Sequence, residues 1–189
     1  EFRRVLFRST VGGGISSLQQ ITAMLHAGAD KVSVNSAAYS TPDLVNAASA
    51  RFGAQCVVAS VDVRRLESGR CNCFSHSGSR DTGHDPVAWA RELADRGAGE
   101  ILLTSIDRDG TMQGYDLQLI EAVVAAVSIP VIASGGAGTY QHCVDAVVRA
   151  GASAVAAASM FHFTEQTPAG LKTALHEAGI PVRHGFVAA

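Results

Sequence analysis

Three things are scarce in this sequence, and each shortage removes a class of function. An excess of either charge is nearly absent: 15 lysines and arginines against 17 aspartates and glutamates leave a formal net charge of −2. That balance gives no electrostatic reason to expect nucleic acid or a membrane surface as partner. Long apolar runs are also missing, and nothing approaches the roughly 20 residues that span a bilayer. Cys56, Cys71, Cys73 and Cys143 are too few and too scattered for a disulfide scaffold, so a reducing cytoplasm is the expected location. Apolar residues are plentiful. At 47% of 189 residues they suffice for the core of one domain, or of part of a larger one.

The opening residues 1–9, EFRRVLFRS, carry three arginines and no turn or cap signal. They read as a non-native leader, with a weak strand as the alternative, and residues 10–189 read as the folded domain. From Thr10 onward short apolar strands alternate with helical segments. The expected strands are Lys31–Asn35, Cys56–Val63, Ile101–Ile106, Pro130–Ser134 and Ala154–Ala158. The expected helices are Ser17–Ala27, Thr41–Phe52, Pro86–Arg96, Leu117–Val127, Tyr140–Ala150 and Ala169–Ala178. Asp85-Pro86 and Thr41-Pro42 each offer a cap followed by proline, while Gly97, Gly151 and Gly179 follow helix ends. The strands read as apolar on both faces, as in a parallel sheet covered by helices. Strict alternation of this kind means an α/β fold, either a barrel or an open sheet.

An internal repeat chooses between them. Val11-Gly12-Gly13-Gly14 is followed, 22 residues after Gly13, by Asn35-Ser36 at the end of the next strand. Ser134-Gly135-Gly136 is followed, 23 residues after Gly135, by Ala158-Ser159 in the same role. The two units lie 122 residues apart with two further strand-helix units between them, and a four-unit period is half of an eight-fold barrel. The expected architecture is therefore an incomplete (β/α)₈ TIM barrel of about six βα units, corresponding to strands three to eight.

Several residues carry potential chemistry. Gly13-Gly14 and Gly135-Gly136 let backbone N–H groups approach an anion, and the helices that follow add their positive dipole ends. Asn35, Ser36 and Ser159 would add donors, so that two sites grip a molecule with a phosphate at each end. The plainer alternative is that these glycines only permit tight turns. Asp62 ends the strand CVVASVD and can shuttle protons if burial tunes it, or it can pair with Arg64 or Arg65. Asp107 and Asp109 carry the same alternatives: Asp107 suits loop orientation, and Asp109, beside Gly110, looks closer to a substrate. Cys71, Cys73, His76 and His84 invite a zinc reading, but C-x-C is not C-x₂-C and no second pair follows. Leu66–Arg80 reads instead as a polar hairpin or lid, and no metal or other cofactor is expected. His162 reads as surface packing. Lys31 and Glu100 stand at strand starts, on the bottom face, where a stabilising ion pair is the ordinary explanation.

TVGGGI, DKVSVNSAA, VVASVDVRR, RGAGEILLTSIDRDGTMQGYD, PVIASGGAG and AVAAASMFHF, in this order, resemble the cyclase-subunit family of imidazole glycerol phosphate synthase. The resemblance runs from Thr10 to about Arg183. The sister isomerase of histidine biosynthesis shares the glycine loops and an RDGT element but lacks the KVSVNSAA and AASMFHF forms. The resemblance implies a (β/α)₈ barrel that takes ammonia from a glutaminase subunit docked at its bottom, as a heterodimer. At the top, ammonia adds to phosphoribulosyl-formimino aminoimidazole carboxamide ribotide. The products are imidazole glycerol phosphate and aminoimidazole carboxamide ribotide. It implies Asp62 as one of two catalytic acids, with Asp109 supporting it and Thr104 and Gly110 touching substrate. One phosphate would sit at Gly13, Gly14, Asn35 and Ser36, the other at Ser134, Gly135, Gly136, Ala158 and Ser159. Lys31 and Glu100 match members of the charged gate that admits ammonia. The family's other catalytic aspartate, on strand one, has no match here, so this chain is expected to be inactive or very weak by itself. A non-catalytic phosphate-binding or partner-docking module is the remaining alternative.

Overall fold

The computed structural model describes residues 8–183. Its strands are β1 (Thr10–Gly12), β2 (Lys31–Val34), β3 (Val57–Arg65), β4 (Cys71–Ser75), β5 (Arg80–Asp81), β6 (Glu100–Ser105), β7 (Val131–Ser134) and β8 (Ala154–Val155). Its helices are α1 (Leu18–His26), α2 (Ser36–Ser40), α3 (Asp43–Phe52), α4 (Pro86–Asp95), α5 (Leu117–Val124), α6 (Tyr140–Val148), α7 (Ser159–Phe163) and α8 (Pro168–Glu177). Six strands pair in parallel in the order β1-β2-β3-β6-β7-β8, and β4 and β5 add an antiparallel extension to β3. The sheet curls as a half-barrel, so the fold is α/β and consistent with an incomplete TIM barrel. Among the described residues β1 and β8 are the open edges of the parallel ladder. Residues 1–7 of the expected leader lie outside the described residues. Ser9 accepts backbone hydrogen bonds from Asp30 and Lys31, prolonging the β1–β2 ladder.

Local chemistry explains where the helices begin. Ser17, Asp116, Thr139 and Thr167 each accept a hydrogen bond from a backbone N–H three residues on. Asp85 accepts from both Val87 and Ala88, with Pro86 occupying the first turn where no N–H is needed. The short helix α2 follows β2 after one residue, and α7 follows β8 after three. Each has five residues, too few to leave a periodic pattern in the sequence.

The strands differ from the expected two-sided apolar pattern. Their outer residues, such as Val32, Ala59, Val61, Ile101, Leu103 and Ala133, are buried beneath the helices. Their inner residues, among them Ser33, Ser60, Asp62, Leu102, Thr104 and Ile132, are only half-buried. A half-barrel supplies helices to one face but no opposing strands to the other, so alternation replaces full burial. β3 runs on to Arg65 because Asp62–Arg65 pairs with β4. The hairpin is correspondingly less polar than expected, with Cys73, Phe74 and Ser75 buried. β8 is two residues long, stopping well short of Ala158.

Candidate active site

In a parallel sheet all strands point the same way, so their C-terminal ends form one rim. Asp62 lies on the inner face near that rim, level with Thr104 on β6, which is itself level with Ser134 on β7. Its carboxylate accepts hydrogen bonds from Asn35 Nδ2 at 2.7 Å and from Ser60 Oγ at 3.2 Å. Burial pushes the Asp62 carboxyl above the usual carboxylate range, against the lowering effect of Ser60 and Asn35, and the nearby Asp109 adds repulsion in the same direction. Asn35 Oδ1 is buried without a hydrogen-bond partner, an acceptor that a donor on a bound molecule could satisfy.

Asp62, Asn35 and Ser36 line a cavity of about 880 Å³ whose wall on one side is Gly13-Gly14. These glycines adopt φ of 103° and 74°, and a Cβ built on either would meet nothing within 4 Å. Their backbone is therefore held in a left-handed form that leaves it open to the cavity. The other glycine pair is different. A Cβ on Gly135 would lie 2.6 Å from the Ser105 carbonyl oxygen, and one on Gly136 would overlap the Gly114 carbonyl oxygen. Gly114 N–H donates to Gly136 O at 2.7 Å, so the loop after β6 lies directly on this turn. Close backbone packing alone accounts for glycine there. Ser134 ends β7, and Ala158-Ser159 opens α7, but none of these residues lines the Asp62 cavity.

The remaining expected residues divide between the two ends of the strands. Asp109 and Gly110 are exposed in the turn after β6, and Gly110 takes a φ of 77°. Asp107 accepts the Arg65 backbone N–H at 2.7 Å, which orients this turn against the end of β3. Lys31 and Glu100 form an ion pair at the opposite ends of β2 and β6, spanning the intervening β3. His162 is exposed beside Phe163. Among the described residues no three His, Cys, Asp or Glu side chains converge on a metal-sized site. Cys73 is buried instead, which pushes its thiol up to about 12.

Sequence reasoning missed the cavity's other wall. The hairpin contributes Ser75, His76, Arg80 and His84, and α2 contributes Tyr39. His76 N–H donates to Ser36 Oγ at 2.9 Å, which joins the hairpin to the β2–α2 turn. The run HSGSRDTG just after the Asp62 strand was the available signal, because a polar hairpin there must fold back over the strand tip. No described helix is long and apolar enough to cross a membrane. A family model described as "Histidine biosynthesis protein" matches residues 2–167.

Proposed function

The chain belongs to this histidine biosynthesis protein family, and within it we propose that it is the ammonia-dependent cyclase of imidazole glycerol phosphate synthase. The observation that carries this reading is Asp62, raised by burial, in the same cavity as an open glycine turn. A carboxyl that keeps its proton longer than usual can donate it to a leaving nitrogen and take one back during ring closure. Asn35 orients that carboxyl while its own buried Oδ1 is left without a partner in the described structure. Gly13, Gly14, Asn35 and Ser36 hold one phosphate. Ser134, Gly135, Gly136, Ala158 and Ser159 hold the other, with Thr104 and Gly110 touching the substrate between them. Asp109 assists electrostatically.

The Lys31–Glu100 pair favours the cyclase over the sister isomerase. It stands at the strand ends remote from Asp62, where an isomerase has no second reactant to admit. A glutaminase subunit delivering ammonia at that face is the partner this implies.

An ammonia-driven assay with the bis-phosphate ribotide tests the reading. With the two preceding βα units and their aspartate supplied, the protein should release imidazole glycerol phosphate and aminoimidazole carboxamide ribotide. The present chain alone should be inactive or very weak. Isomerisation without cyclisation by the completed protein would establish the sister activity instead, and binding without turnover would establish a non-catalytic module.

A further inference from the structure

We infer that Arg80, an exposed hairpin residue lining the same cavity as Gly13-Gly14, is the cationic contact for the phosphate held at that turn. This rests on the phosphate reading of the Gly13-Gly14 turn proposed above and extends it to a residue outside the motifs. Arg80 pairs directly with Ser75 across β4 and β5. Side chains directly opposite in an antiparallel pair share a face, and Ser75 is buried in the cavity wall, so the register aims Arg80 the same way. Among the described residues it is the only lysine or arginine lining the cavity. It has no ion pair or side-chain hydrogen bond among the described residues, unlike Arg65 and Arg96. The neighbouring Asp81 forms no ion pair with it, and its carboxylate instead accepts from Asn72 Nδ2 at 3.0 Å and from Gly83 N–H at 2.8 Å.

The hairpin tip is held firmly enough to place that charge. His76, Ser77 and Gly78 take successive left-handed φ values of 53°, 55° and 77°, two of them on residues with a side chain. Such a run persists only when its surroundings impose it. Here His76 N–H is bonded to Ser36 Oγ, while Ser79 N–H and Oγ both donate to the His76 carbonyl. Backbone N–H groups at the glycine turn supply direction but only partial charge, and among the described residues a phosphate dianion there has a single full cation within the cavity wall. A guanidinium matches phosphate oxygens in pairs.

The test is binding of glycerol phosphate and of inorganic phosphate to the whole chain, followed through the Gly13 and Gly14 amide resonances. R80A should weaken binding by about tenfold or more, and R80K, which keeps the charge but loses the paired contact, should recover only part of it. Raising salt should weaken wild type more steeply than R80A. Circular dichroism should be unchanged, because Arg80 makes no contact that folding needs. If the wild-type amides respond and R80A binds as tightly, the role of Arg80 is overturned and the phosphate turn stands. If the wild-type amides do not respond, the phosphate turn falls and Arg80 with it.

Discussion

Asp62 is pulled in two directions. Burial favours its neutral form, while the hydrogen bonds from Ser60 and Asn35 favour the charged one, and burial prevails. The native state therefore holds this proton at pH values where the unfolded chain has already lost it. Stability falls as pH rises from the ordinary aspartate range to the raised native value, and the deficit then persists at higher pH. D62N should consequently be as stable as wild type or more so in urea at pH 7, with the difference vanishing in acid below the ordinary range. In the completed enzyme the same change should lower kcat by about 10²- to 10⁴-fold while KM moves only a few-fold. A variant that unfolds more readily at pH 7 would show that the charge is better solvated than its burial implies. Asp62 was legible in the sequence because an acid at the tip of an apolar strand is a local pattern. His76 and Arg80 were not, since only the pairing of β4 onto β3 and of β5 onto β4 brings them to the cavity.

The two glycine turns look alike in sequence and differ in what surrounds them. Gly14 has a φ of 74° with nothing near its missing Cβ, so G14A should cost only about 1 kcal/mol of stability, the penalty of a left-handed alanine. Gly136 has a φ of 108°, and an added Cβ must displace the Gly114 backbone. G136A should therefore cost several kcal/mol and lower the urea midpoint far more than G14A. Equal losses at both positions would mean that the loop after β6 yields easily. The repeat correctly located both turns. It could not separate an open turn from a packed one, because the difference lies in a loop more than 20 residues away in sequence. The short β8, two residues against the five expected, has a related cause. Its apolar run continues through Ala158, but composition does not say where ladder pairing stops.

On the scale of the whole molecule, the half-barrel places Asp62 near one rim and its Lys31–Glu100 pair at the other. Both side chains of that pair are about one-fifth exposed, at 22% and 21%. That is buried enough for a lone charge to be costly and wet enough to soften the cost. E100Q should lower the unfolding free energy by about 1–3 kcal/mol, and a K31M/E100L double variant should lose less than E100Q alone. A double-mutant cycle in urea measures this, and additive losses would mean that the two charges are not coupled. The barrel architecture was readable from the four-unit repeat. The half-wet inner face was not, because burial there depends on what lies opposite rather than on the strands themselves.

Trp89 is the only tryptophan in the chain. Its buried ring stacks on Tyr39 at 4.6 Å and leans against His84 at 4.9 Å, and both of those rings line the Asp62 cavity. The protein thus carries its own optical probe, one chromophore set behind the wall that a ligand would touch. Emission excited at 295 nm should change when glycerol phosphate enters the cavity. Nothing would need to be attached to watch the site fill.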